Sequence, residues 1–132
     1  ERKTGLVFIT RVRDKTTRAT TTAIADRLGP LPSPLKVSLT LDNGFENGDW
    51  QAIEQKAGTR VFFAHPYHSW ERGTNENTNG LIRWYFPKGT DFATIPEESL
   101  WAVENALNTR PRKRLGWKTP LETFNASVAL LG

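Results

Sequence analysis

Two carboxylates occupy positions suited to phosphoryl chemistry. Asp42 closes the run Val37-Ser38-Leu39-Thr40-Leu41, and Glu76 stands in the polar entry to a helix-like stretch, with thirty-three residues between them. If that helix lies against the end of a sheet, the two acids converge. Carboxylates a few ångströms apart repel, and a raised pKa or a shared divalent cation relieves the repulsion. Each acid also has an ordinary reading. Asp42 can start an Asx turn before Asn43-Gly44, and Glu76 can sit in a first helical turn as a favourable charge. The sequence contains no Cys and two His. That excludes disulfides, thiol nucleophiles and Cys-based zinc sites, and leaves carboxylate chemistry with hard ions such as Mg²⁺ or Mn²⁺.

Cations surround these acids in two groups. Arg72, Arg83 and Lys88 flank the Glu76 stretch, and Arg83, seven residues beyond Glu76, falls on nearly the same helical face. Arg110, Arg112, Lys113, Arg114 and Lys118 form the second group, with four cations in the five residues 110–114. Such side chains hold a phosphate backbone; a solvated loop is the plainer alternative. The net charge of +4 and a pI of 9.7 lean toward a polyanion partner without requiring one. His65 and His68 can approach DNA or the metals, with surface or hydrogen-bonding parts the plainer expectation. Trp70 can stack on a base or pack against the Glu76 helix. Trp84, Trp101 and Trp117 are expected between helices or in the core.

The elements that must position these groups follow from pattern. With 132 residues, of which 37% are hydrophobic, the chain can bury one modest core, so a single domain is expected. Residues 5–12 read as a β-branched and aromatic strand, 37–41 as an alternating one and 61–64 as a third. The stretch 13–18 can supply a short edge strand or the start of a helix. Helices are expected near 16–28, 49–57, 75–86, 95–108 and 120–128. Thr94-Ile95-Pro96-Glu97 and Thr119-Pro120-Leu121-Glu122 both carry the capping-box pattern, the second with Pro at the first helical position. Strand 37–41, helix 49–57 and strand 61–64 make a βαβ unit of a parallel sheet. Its ligand crevice lies beyond the carboxyl ends of the strands, where Asp42 would stand. No apolar run is long enough to span a membrane, and no secretory signal is evident.

Longer strings are more specific than these patterns. Thr40-Leu41-Asp42-Asn43-Gly44 is one. Trp70-Glu71-Arg72-Gly73-Thr74-Asn75-Glu76-Asn77-Thr78-Asn79-Gly80 and Tyr85-Phe86-Pro87-Lys88-Gly89-Thr90-Asp91 follow. Leu107-Asn108-Thr109-Arg110-Pro111-Arg112-Lys113 and Leu115-Gly116-Trp117-Lys118-Thr119-Pro120 complete the set. Together they resemble the catalytic core of bacterial insertion-sequence transposases, in the insertion sequence thirty family, which belongs with the retroviral-type integrases. The resemblance covers nearly the whole chain, most densely 65–122.

The resemblance implies an α/β fold, a ribonuclease-H-like αβα sandwich with a mixed five-stranded sheet. Its first, central strand would lie upstream of Glu1-Arg2-Lys3-Thr4, so residues 1–132 would be an integrase-type catalytic core truncated at its N-terminus. Asp42 matches the second acid of the Asp-Asp-Glu triad and Glu76 the third, with Asn79 three residues later as in the family pattern; Glu71 lacks such a partner. The first acid would lie on the missing strand, and neither Asp14 nor Asp26 matches its motif. Phe45-Glu46 reverses the acidic-then-aromatic order usual in the family. The implied chemistry is cleavage of DNA at element ends and strand transfer into target DNA. It would use two Mg²⁺ or Mn²⁺ ions about 4 Å apart in the complete site. The implied partners are DNA and further copies of the chain, as a dimer or larger, with no membrane, in the bacterial cytoplasm at the nucleoid. The chain alone is expected to be inactive. A non-catalytic fragment that only binds DNA or a partner transposase is the rival reading. A hydrolytic nuclease of the same fold is a third, disfavoured by the strings at 70–90 and 107–120.

Overall fold

A computed structural model describes residues 1–42, 48–65 and 73–131, with backbone alone at 73–75. Contacts divide the chain into two compact units, Val12–Arg72 and Glu1–Arg11 with Gly73–Gly132.

In Val12–Arg72 the order is α1 (Thr17–Leu28), β1 (Ser38–Leu41), α2 (Trp50–Ala57) and β2 (Arg60–Phe63). Threonine is a weak helix former, because its branched side chain loses rotamer freedom. Local bonds start α1 nonetheless. The Thr16 hydroxyl accepts from the Ala19 N–H at 3.2 Å, while Asp14 accepts from the Thr16 N–H at 2.8 Å and from its hydroxyl. Residues 13–18 therefore open a helix and supply no edge strand. Ala25 is buried on α1, Ile53 and Ala57 on α2, and the two helices pack together. Gly58 ends α2 in the left-handed conformation (φ 67°), a turn that glycine makes without a steric penalty. The chain passes directly into β2, which pairs in parallel with β1, Leu39 opposite Val61 and Leu41 opposite Phe63. The expected βαβ unit is thus present. Trp50 meets Phe63 edge-on, centroids 5.8 Å apart, fixing α2 to the strand it feeds. Among the described residues the sheet has these two strands.

The second unit is helical: α3 (Gly73–Tyr85), α4 (Glu97–Asn108) and α5 (Pro120–Ala129). Its core is Phe86, Leu100, Val103 and Leu107, flanked by Ile9, Leu81, Ile82 and Ile95. Two local expectations fail here. Residues 5–12 form no ladder. They bond to side chains of α4 instead: the Val7 N–H donates to Asn108 Oδ1 at 2.8 Å and the Asn108 amide returns a bond to the Val7 carbonyl at 2.8 Å. The Ile9 N–H donates to Glu104 at 2.8 Å. The apolar run correctly marks burial, but burial does not name a partner. The capping box at Thr94 is also absent. Pro96 holds Ile95 extended (φ −88°, ψ 127°), so α4 starts at Glu97 with Pro96 as its cap. Thr94 lies too early and donates to the Asp91 carbonyl at 2.8 Å. The second box forms as expected, the Glu122 N–H reaching the Thr119 hydroxyl at 3.0 Å.

The tryptophans expected in packing seams are outside them. Trp84 is 85% exposed, Trp101 58% and Trp117 67%. The seam of α4 is already filled by Leu100, Val103 and Leu107. One residue beyond Leu100, a side chain is turned about 100° around the helix.

Candidate active site

Asp42 follows the last residue of β1 and is exposed. Because β1 and β2 are parallel, their carboxyl ends lie side by side, and His65, two residues beyond β2, leaves the sheet at the same end as Asp42. His65 is exposed, at the sheet end that the expected parallel pair implies. The Asx turn at Asn43-Gly44 and the Phe45-Glu46 pair lie outside the described residues, as do His68, Trp70, Glu71 and Arg72.

Glu76 stands exposed in the first turn of α3, where the partial positive charge of the helix terminus favours an anion. Asn79 and Arg83 follow at three and seven residues, on one face. Both line a cleft of about 240 Å³ with Ile82, Phe86, Phe92 and the turn Pro87–Thr90. Phe86 and Phe92 meet edge-on at 5.5 Å across it. Lys88 is exposed in that turn. An apolar floor edged by an amide and a guanidinium can seat a sugar while a cation holds the adjoining phosphate.

The second basic group is a loop between α4 and α5. Arg110, Lys113 and Lys118 are exposed. Arg112 turns partly inward and donates to the Leu107 carbonyl at 3.3 Å. Burial first, then the charges of Arg110 and Arg114, pull its pKa below the usual arginine value. Arg114 donates to the Lys3 carbonyl at 3.0 Å. Two of the five cations thus hold the loop in place.

Asp42 belongs to one unit and Glu76 to the other. Among the described residues no three His, Asp or Glu side chains gather as a metal cage. Asp14 is engaged by Thr16, whose two hydrogen bonds lower its pKa, and Asp26 lies exposed on α1. No helix among the described residues is long and apolar enough to cross a membrane.

No protein-family model matches the chain. Curated relatives do. The transposase of insertion sequence element IS4351 from Bacteroides fragilis is 54% identical over 91 residues, covering 69% of this chain and 28% of that protein. Transposase InsI of IS30A from Escherichia coli K12 is 44% identical over 130 residues, 98% of this chain and 34% of InsI. The transposase of IS1086 from Cupriavidus metallidurans is 40% identical over 129 residues, 98% of this chain and 38% of its own length. The chain spans about a third of the length of the curated relatives it matches. Identity at this level, over 98% of the chain, places it in the IS30 family of insertion-sequence transposases.

Proposed function

We propose that this chain is the catalytic-core segment of a metal-dependent DNA transposase that cuts element ends and joins them to target DNA. The observation that carries the reading is the station of Asp42, just past the carboxyl end of a parallel βαβ pair, within a sequence aligned to transposases over 98% of its length. In a sheet of this kind the ligand crevice opens at that end. The reading extends to a ribonuclease-H-like sheet of five strands, completed by sequence upstream of residue 1 that brings a third acid.

Asp42 and Glu76 are exposed carboxylates, oxygen donors of the kind that Mg²⁺ takes. Once bound there, Mg²⁺ supplies Lewis acidity toward the scissile phosphate. The chain's own residues do the rest. Asp42 and Glu76 each offer a carboxylate to a divalent cation. Arg83, Lys88 and the 110–118 loop, together with Arg72, hold the DNA backbone. Asn79 orients what lies beside Glu76. A site of this design needs no covalent protein nucleophile, because positioning and charge carry the reaction. Synapsis of two DNA ends requires at least two copies.

In the full-length protein, Asp42→Asn and Glu76→Gln should each abolish end cleavage and strand transfer while leaving DNA binding within about threefold of the parent, since phosphate contacts dominate affinity. Gel assays of cleavage and binding on the same DNA check this. Cleavage retained by either variant would overturn the assignment.

A further inference from the structure

Trp117 is the one non-glycine residue with positive φ among the described residues, at 65°. Gly116 before it shares that value. Glycine adopts this conformation freely, but an indole-bearing residue is strained there. The loop that imposes the strain is well built. The Arg112 carbonyl accepts from both Leu115 and Trp117, at 3.0 and 2.9 Å, and the Arg112 N–H donates to the Lys118 carbonyl at 3.0 Å. Arg112 and Arg114 tie the loop to Leu107 and Lys3, and Thr119 caps the helix that leaves it.

The strain gains little packing in return, because Trp117 is 67% exposed. Five cations stand within seven residues of it (Arg110, Arg112, Lys113, Arg114 and Lys118), and no acidic residue occurs between Glu104 and Glu122. A strained conformation that packing does not repay points toward function. An exposed aromatic among exposed cations matches single-strand nucleic-acid binding, in which bases stack on rings while cations follow the backbone.

We propose that Trp117 is a base-stacking residue: its indole lies on an unpaired or unstacked DNA base while Arg110, Lys113 and Lys118 hold the flanking phosphates. This rests on the transposase reading and names the DNA element that the loop meets, a splayed base rather than an intact duplex.

The test uses the full-length protein, a short oligothymidylate strand and its duplex. Trp117→Asn suits the left-handed conformation and removes the ring; Trp117→Phe keeps a ring. The Asn variant should lose about tenfold in affinity for the single strand, keep its affinity for duplex, and melt a few degrees higher as the strain is relieved. The Phe variant should retain most single-strand affinity. Unchanged single-strand binding by the Asn variant overturns the proposal, as does a lower melting temperature, which would make the indole a packing residue. Loss of self-association with DNA affinity intact also overturns it and assigns the indole to a second copy. If the parent protein binds neither form of DNA, the transposase reading itself falls. If the parent binds and cuts DNA and the Asn variant does both equally well, only the stacking role falls.

Discussion

Asn108 grips a single residue with both ends of its amide, accepting from the Val7 N–H and donating to the Val7 carbonyl. The side chain is buried, as is Val7, so truncation leaves two backbone groups without water or partner. Each such orphan costs roughly 1–3 kcal/mol. Asn108→Ala is therefore expected to destabilise the fold by about 3 kcal/mol, read as a lower urea midpoint at unchanged slope. At the same scale, the place of Asp42 just past β1 was legible because an acid immediately after an alternating strand is a local pattern. Glu76 was not legible from spacing alone, since its exposed place in the first turn of α3 is also that of any helix-favouring carboxylate. Only the surrounding string separated it from Glu71. The end of the sheet at which His65 emerges followed from the expected parallel pair, whereas its type and spacing alone gave it no part distinct from that of a surface histidine.

Among the elements, helices were read to within two residues wherever start and stop signals were local. The Thr119 cap, Pro120 and Glu122 act within one turn of each other, and so do Ile53, Ala57 and Gly58. Thr94 shows the limit of such reading. The same four-residue pattern failed because Pro96 set the backbone before the cap could form. Thr119→Ala should cost about 1 kcal/mol of stability, whereas Thr94→Ala should change it by less than about 0.5 kcal/mol. Paired thermal melts of the two variants measure the contrast. The run 5–12 was misread for a related reason. The apolar run Leu6–Ile9 specifies burial, and strand pairing and helix side chains can both satisfy the backbone behind it. The exposed tryptophans reverse the usual presumption that large aromatics are interior. On α3 and α4 their positions follow from a seam already filled by Leu81, Ile82, Leu100, Val103 and Leu107.

For the molecule as a whole, the two acids of the proposed site reside in separate compact units. The proposed activity therefore calls on residues of both units. Residues 1–132 expressed alone should bind Mg²⁺ weakly, which calorimetry can follow, and should leave element-end DNA uncut. Cleavage by that chain with Mg²⁺ would show that an acid within it completes the site. The Val7–Asn108 bond spans 101 positions, and the segment that it closes contains the entire Val12–Arg72 unit. In polymer terms, one unit is a long insertion in the other, and closing so long a loop carries an entropy cost that local helix pairing avoids. During synthesis residues 1–11 emerge well before α4, so the bonds of Val7 and Ile9 to Asn108 and Glu104 wait until α4 follows. The inserted βαβ unit can form meanwhile, so the order of emergence lets Asp42's scaffold fold before the unit that holds Glu76 and Trp117 can close.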